Sequence, residues 1–217
     1  MKIAILGTGM VGNTIGSKLA SLGHDVRMGA RSATSEKAAA WAAAAGPRAS
    51  HGTFADAAAF GEVVFNCTAG TGSLEALGQA GAANLAGKIL IDVSNPLDFS
   101  RGMPPSLTIS NTDSLGESIQ RAFPATKVVK SLNTMNANLM VDAARIAGDH
   151  VVFVAGNDAD ARKQVAAWRG EWFGWKAPLD LGDITAARGL EAWLHLWIRL
   201  WGALGTAEFN IALPRKA

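Results

Sequence analysis

Short apolar runs alternate with helical stripes along the chain. Near-continuous runs, which are typical of buried parallel strands, occur at residues 2–6, 26–30, 62–67, 88–93, 127–130 and 150–155. Weaker strand signals occur at residues 49–52 and 175–181. Between the runs, apolar residues recur every three or four positions, which predicts helices. Strands that alternate with helices predict an α/β fold, a doubly wound and mostly parallel sheet of the Rossmann type.

Capping residues set the bounds of the predicted helices. Ser35 precedes a predicted helix over residues 36–45, and Thr53 precedes a brief helix through Ala59. Asp113 or Ser114 caps a helix over residues 115–122, and Asp158 caps one to about Trp172. A short helix is predicted over residues 138–144. The last helix runs from about residue 184 to residue 204 and is weakened by two glycines.

The pattern turns mainly helical after residue 181. We therefore expect a nucleotide-binding domain over residues 1–181 and a C-terminal helical segment over residues 182–217. This segment would pack on the domain or on a partner subunit.

A glycine loop follows the first strand at once. It reads Gly7-Thr8-Gly9-Met10-Val11-Gly12 and opens a helix that leads to a second strand. This strand, turn and helix context is the one that the dinucleotide fingerprint requires. Gly7 allows the tight turn, Gly9 admits a pyrophosphate, and Gly12 lets helix and strand pack closely. We expect residues 7–12 to bind a dinucleotide.

The end of the second strand indicates which dinucleotide binds. An NAD site places an acidic residue there for the ribose 2′-hydroxyl, but this chain has Arg31 and Ser32. An arginine fork and a hydroxyl suit a 2′-phosphate. Lys37, at the start of the next helix, offers a third contact. The sequence therefore predicts NADP as the cofactor.

Three further loops follow predicted strands, at residues 68–72, 94–96 and 133–137. Ligands of such sheets bind outside the carboxyl ends of the strands, so we expect these loops, the glycine loop and Arg31-Ser32 to face one crevice. Cys67 would lie close to the nicotinamide, where a buried inert thiol is the favoured interpretation.

Composition excludes several classes of protein. The chain has 217 residues, 49% hydrophobic and 18% charged, with a net charge of +2. These values are ordinary for a globular domain and give no support for nucleic-acid binding. A single cysteine forms no internal disulfide. No uncharged run reaches the ~20 residues of a membrane helix, and no signal peptide is visible. We expect a cytoplasmic protein.

Candidate catalytic residues are scarce. The chain has no tyrosine, which excludes the Tyr-Lys pair of short-chain reductases. Its four histidines and one cysteine have no zinc spacing, so no metal site is predicted. His195 fits an ordinary polar position on a helix better than a catalytic one. No catalytic residue is assigned.

The last helix carries tryptophans at Trp193, Trp197 and Trp201, which share one stripe. Glu191, His195 and Arg199 form a second stripe. A helix that is apolar on most sides is buried. Core packing, a dimer seam and a stacking wall for a planar ligand remain as alternatives.

Several blocks carry a family resemblance. They are the glycine loop and residues 22–26, 29–32, 85–88, 100–102, 128–134 and 188–205. In these blocks the chain resembles the NADPH-dependent oxidoreductases of the deazaflavin coenzyme F-420, over nearly its whole length. The resemblance implies hydride exchange between NADP and a ring coenzyme stacked beside the nicotinamide, and a homodimer.

Two loops depart from that family. The loop at residues 69–72 is small, and Asn133-Thr134-Met135-Asn136 replaces a His-Thr-Ile-Pro-type segment. Asn133-Thr134, together with Ser94-Asn95-Pro96, looks more like the cytosolic NADPH-oxidoreductase domain of the six-transmembrane ferric reductases, which use NADPH and a flavin. The resemblance therefore supports NADP as a cofactor better than it supports the deazaflavin.

The combined expectation is an NADPH-dependent oxidoreductase that passes hydride to a flavin (FMN or FAD) or to F-420. Thr68, Ala69 and Asn95 should border the nicotinamide, and Asn133 and Thr134 the facing ring. One alternative is a non-enzymatic NADP-binding sensor. The other is a β-hydroxyacid dehydrogenase or imine reductase, which would share the N-terminal half but expects a long all-helical second domain.

Overall fold

Strands and helices alternate along the residues that the structure, a computed structural model, describes, namely 1–176 and 178–214. The strands are β1 (Lys2–Leu6), β2 (Asp25–Ala30), β3 (Ala49–Thr53), β4 (Val63–Asn66), β5 (Ile89–Asp92), β6 (Leu97–Asp98), β7 (Ser106–Leu107), β8 (Lys127–Ser131), β9 (Val152–Ala155) and β10 (Pro178–Asp180).

The helices lie between these strands and after the last one. They are α1 (Met10–Ser21), α2 (Glu36–Ala45), α3 (Phe54–Phe60), α4 (Ser73–Ala80), α5 (Ala82–Leu85), α6 (Leu115–Ala122), α7 (Ala137–Met140), α8 (Ala159–Phe173) and α9 (Ala187–Leu204). Single 3₁₀ turns cover Gly70–Gly72, Ala143–Arg145 and Ile184–Ala186.

Eight strands form one sheet in the order β10-β9-β8-β5-β4-β1-β2-β3. The six strands from β3 to β8 in this order are parallel to their neighbours, and β9 pairs antiparallel with β8. The chain moves outward from β1 to β3 and then returns to β4 on the other side of β1. Ligands of doubly wound sheets bind where the order reverses in this way, so the carboxyl ends of β1 and β4 mark the expected site.

Helices cover both faces of the sheet. Residues of α1, α2, α7 and α8 contribute to one buried apolar cluster, and residues of α3, α4, α5 and α6 to another. The start of α9 joins the second cluster through Ala187. The predicted doubly wound, mostly parallel fold with a helical C-terminal part is confirmed.

The predicted caps agree closely with the observed helix starts. Ser35 accepts a hydrogen bond from Ala38 N, Ser114 from Glu117 N, and Asp158 from Ala161 N. Thr53 and Asp56 form a complete capping box at the start of α3. These caps depend on neighbours three residues away, which is why they can be predicted from local sequence.

The structure departs from the expected elements in several places. The short helix α5 was not predicted, and the last helix begins at Ala187 after a 3₁₀ turn and not at about residue 184. The stretch after residue 96 contains the β6–β7 hairpin, where no element was predicted. The helix expected over residues 138–144 is the short α7 followed by a 3₁₀ turn. Gly189 and Gly202 do not interrupt α9, and Leu190, Glu191 and Leu194, which follow Gly189, are buried.

No helix within residues 1–176 and 178–214 is long and apolar enough to cross a lipid bilayer. The division into residues 1–181 and 182–217 stays a prediction. Residue 177 of the predicted last strand and residues 215–217 of the C-terminal segment lie outside the described residues.

Candidate functional site

The glycine loop makes a tight turn at the carboxyl end of β1. Gly7 has a positive φ of 118°, and a Cβ there would lie 2.6 Å from the carbonyl oxygen of Cys67. A Cβ on Gly12 would lie 2.2 Å from the carbonyl oxygen of Gly7. Both positions therefore exclude any side chain. Gly9 differs, because a Cβ there would meet no atom within 4 Å, so the loop is open on that side.

The first turn of α1 offers hydrogen-bond donors to this open side. Gly9 is the N-cap and has no side chain to cap the helix, and the first intrahelical bond runs from Asn13 N to Gly9 O at 2.9 Å. The N–H groups before Asn13 lack intrahelical acceptors, and the helix terminus carries partial positive charge. The loop has room and donors for an anion. Met10 and Val11 belong to this turn, with Met10 exposed.

A cavity of about 490 Å³ opens beside the glycine loop. Arg31 and Ser32 after β2 line this cavity, as do Glu75 and Gln79 of α4. Arg31 is exposed and forms no salt bridge with a carboxylate among the described residues. Its guanidinium is available to an anionic ligand. Lys37 is exposed on the first turn of α2 and does not line this cavity.

A second cavity, of about 280 Å³, adjoins the first. The two share Cys67, Thr68 and Ala69, and Thr8 and Gly9 line the first of them. Asn95 and Phe99 line the second cavity and not the first. The two cavities together form a cleft across the carboxyl ends of β1, β4 and β5.

Asn95 is held in the second cavity by Asn133. The amide nitrogen of Asn95 donates to Asn133 O at 3.0 Å, and the amide nitrogen of Asn133 donates to Asn95 Oδ1 at 2.9 Å. Asn133 also donates to Leu190 O at 3.0 Å. Only 2% of Asn133 and of Thr134 is exposed, and neither lines either cavity. Asn133 therefore lies behind the cleft and holds the side chain of Asn95 in place.

A buried polar network lies below the cleft. The hydroxyl of Thr68 donates to Asn66 Oδ1 at 2.7 Å, and Asn66 Nδ2 donates to Asp92 Oδ1 at 2.9 Å. Ser94 Oγ donates to the same Asp92 oxygen at 2.6 Å. These bonds fix the orientation of Thr68 and the path of the chain before Asn95. Satisfied buried networks of this kind make a site rigid.

The network continues through a buried lysine. Lys130 Nζ lies 2.8 Å from both Asp92 Oδ2 and Glu191 Oε1, and all three side chains are buried. Lys130 also donates to Ser94 O at 2.5 Å. Burial by itself lowers the pKa of Lys130, but the charges of Asp92 and Glu191 outweigh it and raise the pKa above its usual value. Lys130 is therefore an ammonium at neutral pH.

Cys67 is an unreactive thiol in this setting. Burial and the charge of Asp92 raise its pKa well above its usual value, and they outweigh the opposite effect of Arg169. Arg169 is fully buried, and its guanidinium lies 5.3 Å from the ring centre of Phe65 and 5.1 Å from that of Phe173. Burial lowers the pKa of Arg169 to about 9, which leaves it charged at neutral pH. A thiolate nucleophile is not expected here.

The profile of one protein family, "NADP oxidoreductase coenzyme F420-dependent", matches residues 2–96. A crystal structure of a candidate F-420-dependent NADP-reductase from Arthrobacter sp. FB24 has 56% sequence identity and a TM-score of 0.93 to this chain. The match covers 99% of this chain and 100% of that one. The chain belongs to this family of F-420-dependent NADP oxidoreductases.

A second relative is the metalloreductase STEAP3 of Rattus norvegicus. It is 31% identical over 195 residues, which are 88% of this chain and 36% of STEAP3. The chain thus spans about a third of the length of that relative. The predicted resemblance to both groups of reductases is confirmed.

An imine reductase from Myxococcus stipitatus in complex with NADP+ shares the fold. It has 17% identity and a TM-score of 0.68, over 94% of this chain and 63% of the imine reductase. At this identity the likeness concerns the fold alone.

Membership of the F-420-dependent NADP oxidoreductase family supports NADP(H) as the cofactor. The residues present fit a dinucleotide, because the space beside Gly9, the donors of the first turn of α1 and Arg31, which has no carboxylate partner within the described residues, lie along one cleft. Among the described residues, no cluster of three or more His, Cys, Asp or Glu side chains is arranged to hold a metal ion.

Some residues of the cleft were missed by sequence reasoning. Glu75 and Gln79 carry an i, i+4 signal of a shared helix face, and their side chains are hydrogen bonded at 3.0 Å, but nothing local indicates that this face borders the cleft. Phe99 follows the hairpin strand β6, which was not predicted. Glu191 was placed on a polar stripe with His195 and Arg199, whereas only 1% of it is exposed.

Proposed function

We propose that this member of the family transfers a hydride between NADP(H) and a flavin or deazaflavin ring coenzyme. The family establishes an NADP-dependent oxidoreductase, and the acceptor is the proposed part. FMN, FAD and coenzyme F-420 are the candidate acceptors.

The second cavity carries this proposal. Among the described residues that line it, Cys67 is the only one with a titratable side chain, and burial raises the pKa of this thiol. Reduction of a carbonyl or an imine benefits from a positioned general acid. A lining of amide, hydroxyl and apolar groups instead suits transfer between two ring cofactors, which carry the reactive atoms themselves. This observation favours the ring acceptor over the imine reductase alternative.

Bound NADPH would supply a hydride to the acceptor ring, with NADP+ as the oxidised product and a proton from water completing the two-electron reduction. The protein provides proximity and orientation, which alone lower the barrier by several kcal/mol. Thr68 and Asn95 are suited to orient a nicotinamide, because hydrogen bonds to Asn66 and Asn133 hold their side chains.

The proposed roles follow the cleft from one end to the other. Gly7–Gly12 would hold the pyrophosphate on the N-terminus of α1, and Arg31 and Ser32 would bind the 2′-phosphate. Cys67, Thr68, Ala69 and Asn95 would border the nicotinamide. Asn133 would act through Asn95 instead of touching the facing ring, and Thr134, which is also buried, would lie behind the cleft. Lys37 would contribute only a longer-range charge.

A homodimer is proposed from the exposed part of α9. Leu196, Trp201 and Leu204 are 53%, 44% and 56% exposed, and Leu200 lies between them on the same helix. A patch of large exposed apolar residues favours association.

Cys67 is a free buried thiol, which fits a reducing compartment such as the cytoplasm.

Anaerobic incubation with NADPH tests the proposal. The absorbance of NADPH at saturating concentration is followed with FMN, FAD, riboflavin or F-420 as the acceptor, against protein without acceptor and acceptor without protein. We expect NADPH oxidation with at least one ring, matched by an equal amount of reduced ring. Tight binding of NADPH with no oxidation by any ring would favour the sensor alternative instead.

A further inference from the structure

Three buried charged side chains lie behind the wall of the second cavity. Asp92 of β5 and Lys130 of β8 are direct neighbours in the sheet, and Glu191 reaches Lys130 from α9. At most 2% of each of these side chains is exposed. We call Asp92, Lys130 and Glu191 the charged triad.

The hydrogen bonds of the triad indicate that both of its carboxyl groups are ionised. Asp92 Oδ2 contacts the ammonium of Lys130, and Asp92 Oδ1 accepts from Ser94 N at 3.2 Å and from Asn66 Nδ2 at 2.9 Å. The oxygens of Glu191 accept from Lys130 and from two backbone N–H groups of α6. These neighbours are donors, whereas a protonated carboxyl needs an acceptor for its hydrogen. Two carboxylates and one ammonium leave the triad with one net negative charge.

The triad contacts the wall of the second cavity directly. Ser94 lines this cavity. Its hydroxyl donates to Asp92 Oδ1 at 2.6 Å, and its carbonyl oxygen accepts from Lys130 Nζ at 2.5 Å. Asn95, the next residue, lines the same cavity. A single residue therefore separates the buried charges from the space in which the proposed function puts the nicotinamide.

Other charged groups near the triad are arranged differently. Arg188 and Glu117 form a pair whose charges balance each other. Arg169 packs against Phe65, whose apolar cluster lies on the opposite face of the sheet from α6 and α9. Within the described residues, the guanidinium of Arg169 makes no hydrogen bond and so none to the cavity wall. The unbalanced charge in direct contact with that wall is therefore the negative charge of the triad.

We propose that the charged triad favours NADP+ over NADPH in the cleft and so directs the enzyme towards NADPH oxidation. The nicotinamide ring is neutral in NADPH and carries one positive charge in NADP+, whereas the phosphates are the same in both. A negative charge behind the cavity wall therefore stabilises the oxidised form, and its burial strengthens the effect. It also stabilises the positive charge that develops on the ring as the hydride leaves.

This inference rests on the position of the nicotinamide in the proposed function. It does not depend on which ring accepts the hydride. The triad would act through its charge and without touching the cofactor, so its effect should differ between the two oxidation states of the nicotinamide.

The test compares the affinities of these two oxidation states. Dissociation constants of NADPH are measured from its fluorescence in the absence of any acceptor, and those of NADP+ by competition with NADPH. We expect the unmodified protein to bind NADP+ more tightly than NADPH. This measurement needs no variant.

Two variants remove the net charge of the triad, namely Glu191→Gln and Asp92→Asn. Each should reduce the preference for NADP+ by about fivefold or more, which a unit charge roughly 15 Å or less from the ring produces at an effective dielectric constant of about 20. A purely structural loss would instead weaken both nucleotides by a similar factor. Binding is measured at a low temperature at which circular dichroism shows the variant to be folded.

Glu75→Gln is the matched control. It makes the same chemical change at an exposed residue that lines the first cavity and not the second, away from the proposed nicotinamide position. The affinities of NADP+ and NADPH should change alike in this variant, so that their ratio stays constant.

The outcomes distinguish this inference from the proposed function. Tighter binding of NADPH than of NADP+ by the unmodified protein overturns the inference, and so does a ratio that both triad variants leave unchanged or that Glu75→Gln changes as much as they do. None of these results affects whether a ring oxidises NADPH. Absence of NADPH oxidation with every ring overturns the proposed function, whatever the ratio.

Discussion

Glu191 of α9 and Lys130 of β8 form a buried ion pair at 2.8 Å. The same carboxylate accepts hydrogen bonds from Leu115 N at 2.8 Å and Gly116 N at 3.0 Å, in the first turn of α6. A negative charge is favourable at a helix N-terminus. One carboxylate therefore joins the C-terminal helix, α6 and the sheet, directly behind the loop that carries Asn95.

Replacement of Glu191 should strongly destabilise the protein. Glu191→Gln leaves Lys130 with one charged partner and removes a charged acceptor from α6. Loss of one member of a buried charge network costs roughly 3–5 kcal/mol. The free energy of unfolding, measured by urea denaturation, reports this loss. Glu171→Gln, at an exposed position of α8, is the control with little expected change. A loss below about 1 kcal/mol for Glu191→Gln would contradict the buried pair.

A second link between α6 and α9 predicts a pH dependence. Hydrogen bonds from Arg188 hold the pKa of Glu117 below its usual value, against the opposing effect of burial. A lowered carboxyl pKa contributes stability that is present above the unfolded-state pKa and is lost as the pH falls through the folded-state pKa.

Glu117→Gln should therefore be less stable than the unmodified protein at pH 7. The difference between their free energies of unfolding should shrink below about pH 4.5. Denaturant titrations from pH 7 to pH 3 measure it. A difference that stays constant over this range would show that the carboxylate charge is not involved.

Arg31 should set the preference for NADPH over NADH. It lines the first cavity without a carboxylate partner among the described residues, and hydrogen bonds to a charged group contribute roughly 1.5–3 kcal/mol. Arg31→Ala should weaken NADPH about 10- to 100-fold and affect NADH little, since NADH has no 2′-phosphate. Ser32→Ala should have a smaller effect of the same kind.

Dissociation constants for both nucleotides, before and after each substitution, decide this point. Arg48→Ala is the matched control, because Arg48 is exposed and pairs with Asp25 outside both cavities. Equal losses of NADPH and NADH affinity in Arg31→Ala would show that Arg31 does not bind the phosphate.

The proposed dimer should depend on the exposed leucines of α9. Leu204→Glu places a charge in the apolar stripe and should dissociate the dimer. Trp197 is less suitable for this test, because its ring stacks at 5.5 Å on Phe209 of the same chain. Leu22→Glu, at another exposed leucine, controls for the added charge. Sedimentation velocity measures the outcome, and a monomer in the unmodified protein would exclude the dimer.

Local signals predicted much of the fold and the first half of the cleft. These signals are the glycine loop, the capping residues Ser35 and Thr53, and the apolar runs of the strands. Each one determines the conformation of residues only a few positions away in the sequence. Their geometry is therefore encoded in short segments. The alternation of strands and helices then places the loops at one edge of the sheet.

The remaining features depend on contacts between distant residues. Glu191 is buried against Lys130, which lies 61 positions earlier in the chain. In the helix sequence alone, Glu191 resembles its exposed neighbours at i+4 and i+8. Asn133 was expected at the facing ring but supports Asn95 from behind, through a pairing across two loops. The β6–β7 hairpin has two residues in each strand, too few to give a period in the sequence.

Direct hydride transfer is the central claim, and isotopic labelling tests it. NADPH deuterated at the transferable position of its nicotinamide is incubated anaerobically with the protein and F-420, and the mass of the reduced ring is measured. A deazaflavin holds the transferred atom on carbon, so the label is not lost to water, and FMN is followed by the isotope effect on its reduction rate. We expect one deuterium in the reduced deazaflavin, or a slower rate with FMN, from one of the two labelled faces of NADPH. Direct transfer between the two rings would be contradicted if a ring is reduced but NADPH labelled on either face gives neither deuterium in the reduced deazaflavin nor an isotope effect with FMN.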